Sequence, residues 1–283
     1  MTVLKQWFVQ LPGLQFVVKK VVAYQANREA INIAHHFDEF LRPVIPREQA
    51  LREEVHKIRH DVYCQELEFE PIKADGKERD EFDDYSIFCM IEHKHSQHFA
   101  GCVRVVTPLN EQDLLPLEKY CQGAITDPVL RPDQFDRSEI CEISRLAVPA
   151  EFRRRQADKF KGAAAGVINE HTYSEHELRC FPFIAIGLYL SAASIVINRN
   201  IKHCFVMMEP RLARSMRFVG IKFKKVGPTV DYHGRRAPYY INPQDFLAAL
   251  SPGFQVLFQH LERGVKREVA KPGCLIKGGD KSP

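Results

Sequence analysis

Residues 139–156 read EICEISRLAVPAEFRRRQ, an apolar, strand-like run that carries one carboxylate and one guanidinium and passes straight into three consecutive arginines. In a β-strand alternate side chains share a face. Glu142 and Ser144 therefore point one way and Ile143 and Arg145 the other, unless a β-bulge re-aims one of them. A carboxylate on a half-buried strand is costly unless it is hydrogen-bonded, paired or used. Two readings of Glu142 stay open on this ground. It forms an ion pair with an arginine of a neighbouring strand, such as Arg104 in GCVRVV, which stabilises little net. Or it is a general base tuned by burial to accept a proton near neutral pH.

Outward from this strand the chain alternates helical and extended patterns. Residues 47–67, REQALREEVHKIRHDVYCQEL, predict a helix, and 70–85, EPIKADGKERDEFDDY, a polar loop. The run SIFCMIEHKHSQHFAGCVRVVTP, 86–108, predicts an antiparallel hairpin. Residues 157–181 are polar and irregular. They precede a strong helix (PFIAIGLYLSAASIVINRN), a strand (KHCFVMM), a basic helix closed by Gly220 (PRLARSMRFVG) and a strand pair around YHGRR. The order is that of a mixed α/β domain. Residues 14–42 predict a helical extension ended by Pro43 and Pro46, with an apolar face that covers the core, dimerises or lies on a membrane surface. The expected division is an N-terminal helical extension over 1–46, a main domain over 47–250, and a C-terminal helix with a frayed tail over 251–283.

Composition narrows the function classes. With 283 residues, 45% of them apolar, the chain can bury one sizeable core. A net charge of +4 is too small to imply nucleic acid, and the acidic loop at 78–84 argues against it. Eight cysteines without a C-x-x-C pair suit neither a zinc site nor a disulfide scaffold. Reduced, structural thiols in a cytosolic protein are expected. The longest apolar run, 183–197, falls short of the roughly 20 residues that span a bilayer. The histidines of HKHSQH lack partners at metal-ligand spacing, and neither a nucleophile elbow nor a phosphate-binding glycine motif occurs.

Other clusters admit more than one use. Glu78, Asp80, Glu81, Asp83 and Asp84 form a solvated loop, a calcium site or a recognition surface for a cationic amine, with Arg59 and Tyr63 one helical turn apart and lining the same place. Arg153, Arg154 and Arg155 form a solvated charge run, a phosphate cradle or a docking face for an acidic protein.

In combination, R-x-x-x-Y at Arg59 and Tyr63, E-x-D-x-x-D at Glu78 to Asp83, GCVRVV, EISRLAV…FRRR, MEPRLAR and DYHGRRAPY resemble the acyl-homoserine-lactone synthases and the long-chain N-acyl amino acid synthases. The nearest likeness is to the acyltransferases associated with PEP-CTERM/exosortase systems. The resemblance spans about 48–242 and implies a GNAT-like fold, a mixed twisted sheet whose central strands splay to admit an acyl-thioester arm. It implies an N-acyltransferase moving a fatty acyl group from an acyl carrier protein thioester, or from acyl-coenzyme A, to the amine of a small acceptor. An autoinducer-synthase activity or a non-catalytic acyl- or carrier-binding module is the alternative. By position, Glu142, Ser144 and Arg145 would be catalytic, and Arg59, Tyr63, Phe69, Asp80, Asp83, Arg104 and Leu146 would hold the substrates, Leu146 at an oxyanion-binding bulge. Arg153, Arg154 and Arg155 would meet the phosphopantetheine arm and its carrier. No metal and no tightly bound cofactor are expected.

Overall fold

The computed structural model describes residues 31–153 and 183–273. The expectations for 1–30, for Arg154 and Arg155, for the insertion at 156–181 and for the tail beyond 273 lie outside the described residues. Of Arg153 only the backbone is described.

The chain enters as a helix over 31–40 (α1) and turns at once into the strand β1, Leu41–Val44. Helix α2, Gln49–Arg59, runs on into a π-helical turn over His60–Glu66. The hairpin follows as β2, Ser86–His93, and β3, Phe99–Val106. A long strap then carries the short helix α3, Pro116–Tyr120, before β4, Ile140–Ala147, and α4, Ala150–Arg153. Beyond lie α5, Ile184–Asn198, β5, His203–Met208, and α6, Pro210–Met216. The last elements are β6, Lys224–Lys225, β7, Val230–Asp231, β8, Arg235–Ile241, α7, Pro243–Ala249, and α8, Pro252–Val269.

The sheet runs β1-β2-β3-β4-β5-β8-β6, with β7 pairing β8. Every pairing is antiparallel except β4 with β5. On one face Ile87, Cys89, Ile91, Val103, Val105, Cys141 and Ile143 join the main apolar core with α1, α5 and α8. α5 is apolar nearly all round because it is buried between the sheet and α8. The other face carries Phe88, Met90 and Cys102 against Val55 and Ile58 of α2 and Val62 of the π-helical turn, and Val106, Ile140 and Phe205 against Leu115 and Leu117 of the strap. This mixed α/β architecture is the expected one. The six described cysteines, Cys64, Cys89, Cys102, Cys121, Cys141 and Cys204, are free and buried. No helix among the described residues is long and apolar enough to cross a membrane.

Near both ends of the described residues the chain packs on the sheet. The helix predicted through residue 42 stops at 40, and Leu41–Val44 become an edge strand on β2, where Pro43 is tolerated because an edge residue has one side without a ladder. α8 lies on that strand: a Cβ at Gly264 would come within 2.6 Å of the Pro43 ring, so a side chain there would hold the two apart. Arg47 donates to the carbonyls of Glu268, Val269 and Gly273, capping the end of α8. Residues 31–46 and 252–269 are thus part of the one core, since Phe37, Leu41, Leu257, Leu261 and Val265 are buried in it. Leu261→Ala is expected to lower the unfolding free energy by about 2–5 kcal/mol in urea titration, where a dispensable C-terminal helix would give almost no change.

Candidate active site

β4 is the axis of the site. Its parallel ladder with β5 holds at Ile140↔His203, Cys141↔Cys204 and Glu142↔Phe205 and then ends. β4 goes on pairing β3 as far as Ala147↔Cys102. β5 goes on pairing β8 as far as Met208↔Ala237. Beyond Glu142 the two central strands have parted, and Glu142 stands at the fork.

Past the fork β4 bulges. Ser144 pairs Arg104 and Ala147 pairs Cys102, so Arg145 and Leu146 together oppose Val103. Arg145 takes φ 50°, the left-handed region. The simple alternation that sends Arg145 to the far face therefore fails: the bulge turns its guanidinium to the side of Ser144 and Glu142, where it meets Glu70, Glu78 and Asp80 at 3.2, 3.3 and 3.4 Å. The Tyr63 hydroxyl donates to the Leu146 carbonyl at 2.8 Å, and the Arg145 guanidinium lies 5.5 Å from the Tyr63 ring centroid.

A buried charge network surrounds this turn. Arg59, with no exposed surface, donates to Glu78 and, at 2.7 Å, to Asp83. Arg104, 1% exposed, donates to Asp80, to Asp83 at 2.6 Å and to the Ser144 hydroxyl at 3.1 Å. Asp80 caps its own turn at Phe82 N–H, and its N–H donates back to Asp83. Burial alone would raise the Asp83 and Glu78 carboxyls, but the guanidiniums around them outweigh it and hold both below the usual carboxylate range. His56, packed 3.6 Å from Asp83, is pushed down to about 4 by burial against that carboxylate's pull.

The acidic run is therefore divided rather than solvated: Glu78 and Asp83 are buried with arginines, whereas Glu81 is exposed beside Lys119. Arg59 and Tyr63, expected to hold the substrates, are both buried. Asp83 has spent its oxygens on Arg59, Arg104 and the Asp80 N–H. Asp80 differs, because its Oδ2 is buried without a hydrogen-bond partner among the described residues.

Glu142 is 2% exposed and does not pair with Arg104. Its Oε2 accepts from Leu117 N–H of α3 at 2.8 Å. Burial raises its carboxyl to about 8, opposed by that N–H and by Arg104 and Arg145.

The β7–β8 turn closes the site with residues absent from the expectation. His233, at φ 49°, sits 3.4 Å from Glu70 and packs on Phe69 at 5.7 Å between ring centroids. Arg236 lies 5.5 Å over the Phe69 ring. Tyr232 stacks on Tyr120 at 6.3 Å, and Arg145 and Glu142 both act on its hydroxyl. A signal existed in the sequence: H-G within a short turn of β-forming residues is a hairpin that presents its aromatics in one place.

Behind the fork, on the opposite face, Ile143, Tyr189, Ala193, Val196, Cys204 and Phe246 are among the residues lining an apolar cavity of about 30 Å³. At the open end, Glu209, Pro210, Arg211, Arg214, Thr229 and Arg235 line a groove of about 400 Å³.

A family model for the acetyltransferase (GNAT) domain matches residues 58–161. No curated protein sequence matches the chain. Among solved structures, TofI in a ternary complex with an inhibitor and MTA aligns with a TM-score of 0.53 at 16% identity, over 75% of this chain and 98% of that one. The AHL synthase LasI aligns with a TM-score of 0.50 at 14% identity, over 75% and 95%. FeeM, an N-acyl amino acid synthase from uncultured soil microbes, gives 0.47 at 12%, over 74% and 94%. The fold is GNAT-like.

The shifted groups set opposite pH slopes. Asp83, Glu78 and His56 are lowered on folding, so the stability they confer is present at neutral pH and is lost as pH falls, His56 between about 6.5 and 4. Glu142 is raised from 4.5 to about 8, so its contribution is full below 4.5 and lost as pH climbs through 8. Glu142→Gln is expected to flatten the fall in unfolding free energy between about pH 4.5 and 8, while the acid limb below about pH 4 stays as in the wild type. Urea midpoints across pH measure both.

Proposed function

We propose that the protein is an N-acyltransferase that moves a fatty acyl group from the phosphopantetheine thioester of an acyl carrier protein to the amine of a small acceptor, an amino acid or a derivative of one. The observation that carries the reading is the fork. The parting of β4 from β5 leaves an opening for a thioester arm, a buried carboxylate with raised proton affinity stands at its closed end, and a buried charge network and an apolar cavity lie on its two faces.

An amine attacks a thioester only when deprotonated, so Glu142 takes its proton, directly or through water. The nitrogen bonds to the carbonyl carbon, the carbon–sulfur bond breaks and the carrier thiol leaves. The backbone N–H of Leu146, in the bulge, polarises the carbonyl oxygen. Asp80 offers Oδ2, which faces the Arg145 guanidinium at 3.4 Å but accepts no hydrogen bond among the described residues, to the incoming ammonium, and Arg104 and Ser144 fix its position by holding Asp80 and the strand. Phe69, Tyr120, Tyr232 and His233 give the acceptor its remaining walls. The acyl chain lies on the other face, widening the cavity between α5 and the sheet.

The donor's carrier is acidic and carries a phosphate. Arg211, Arg214 and Arg217 are exposed on and after α6, and the first two share their groove with Arg235. They supply a described cationic face for the docking role expected of Arg153, Arg154 and Arg155, with coenzyme A as the alternative donor. Blocks such as MEPRLAR and DYHGRRAPY support the branch associated with PEP-CTERM/exosortase systems. A lactone-synthase acceptor, a methionine-derived nucleoside, is separated from an amino acid by the mass of the product.

Two measurements test this. Mass spectrometry of lipid extracts from cells making the protein should show a new N-acyl species that Glu142→Gln lowers by about 10²–10⁴-fold; a non-catalytic binding module would yield no such difference. With Arg211→Gln and Arg214→Gln together, KM for acyl carrier protein at low salt should rise several-fold and lose its salt dependence, with kcat little changed. An unaltered KM would remove the groove from the docking face.

A further inference from the structure

We propose that Arg137 is a positioning residue for Glu142, holding in place the turn whose backbone N–H hydrogen-bonds the carboxylate; the inference rests on Glu142 being the proton acceptor.

Residues 107–139 cross the Glu142 face of the sheet as a strap. At its far end Thr126 and Asp127 N–H donate to the Val226 carbonyl at 2.9 and 3.0 Å. Gly227 is required there, because a Cβ would fall 1.8 Å from the Ala124 carbonyl oxygen. Midway, α3 presents Leu117 N–H to Glu142. A five-residue helix does not hold itself, since helix nucleation is unfavourable and so short a segment has little to offset it.

Arg137 supplies the hold. It is 8% exposed and forks onto Glu118, Nη1 to Oε1 at 3.0 Å and Nη2 to Oε2 at 2.9 Å. Its Nη2 also donates to the Asp113 carbonyl. Glu118 Oε2 in turn accepts from Leu115 N–H at 2.7 Å. The guanidinium thus pins the chain on both sides of Leu115–Leu117. Arg137 opens the short 3₁₀ turn Arg137–Glu139 that feeds β4. The contacts therefore close a ring: Arg137 to Glu118, along α3 to Leu117, across to Glu142, and back down the strand. A bidentate guanidinium fixes direction as well as charge, which an ammonium does not.

The charge matters too. The groups that act on Glu142 are Arg104 from β3, Arg145 from β4, Glu118 and Cys121 from α3 and the residue after it, Tyr232 from the β7–β8 turn, and Cys141 beside it. Glu118 is the carboxylate among them, and Arg137 is its counter-ion. Removing Arg137 frees Leu117 N–H and leaves Glu118 uncompensated, and both changes make Glu142 hold its proton more tightly.

The experiment compares the wild type with Arg137→Gln and Arg137→Lys. One readout is the pH profile of kcat for acyl transfer. The other is the carbon-13 NMR titration of the Glu142 carboxyl in the free protein, assigned by its loss in Glu142→Gln. In Arg137→Gln both should move to higher pH by about one unit, a roughly tenfold loss of rate at pH 7 that recovers at high pH. Arg137→Lys keeps the charge without the fork, folds where the glutamine variant does not, and should shift by less. A rate that falls equally at every pH, with the Glu142 titration unmoved in either folded variant, overturns the proposal. Wild-type transfer by Glu142→Gln would instead overturn the catalytic reading, while the titration still decides whether Arg137 sets the carboxyl.

Discussion

Asp83 is the carboxylate on which the site's frame converges. Arg59 reaches it from α2 and Arg104 from β3, and the turn preceding β2 donates to it through Asp80 N–H. Asp80 and Glu78 pass the connection on to Arg145 of β4. Charges buried this deeply are tolerable only together, because losing one partner leaves the rest desolvated and uncompensated. The frame is therefore close to all-or-none. It sets the distance between α2 and the sheet, and it makes the bulge at Arg145 the conformation in which that guanidinium reaches Glu70, Glu78 and Asp80.

The sheet separates two environments that the proposed reaction needs at once. One face of β4 looks onto charge, through Ser144, Arg145 and Glu142. The other, through Cys141 and Ile143, looks onto the apolar core and the cavity beside α5. A continuous sheet would keep the two apart. Ending the β4–β5 ladder at Glu142 joins them within one strand, so the polar and the greasy ends of a reacting pair can meet without either entering the wrong surroundings.

Much of this was legible in the sequence where a pattern repeats. The hairpin, β4, α5 and β5 follow from alternation and from apolar runs, and Gly220 ends α6 and the 3₁₀ turn after it with φ 96°, as a helix-terminating glycine does. The resemblance brought Arg104, Glu142, Ser144 and Arg145 to one place, and the structure sets them around one fork. What was not legible is what depends on a distant partner. An acidic run reads as solvated until three arginines from other elements bury part of it. Pro43 reads as the end of a helix, and only its position at the sheet edge shows why a strand tolerates it. α8 reads as an appendage because its partner strand lies some 200 residues earlier in the chain. Arg137 has no local motif at all, since its meaning lies in Glu118 and Leu117.

Arg145 keeps a left-handed backbone without being glycine, a conformation that costs about 1–3 kcal/mol where nothing compensates. Its guanidinium contacts offset that cost here. The position is accordingly a point of conflict between robustness and use. A glycine would relax the backbone at the bulge, but it would withdraw the cation that anchors Glu70, Glu78 and Asp80 beside the fork. Selection for a hardier scaffold and selection for a competent site would pull this one residue in opposite directions.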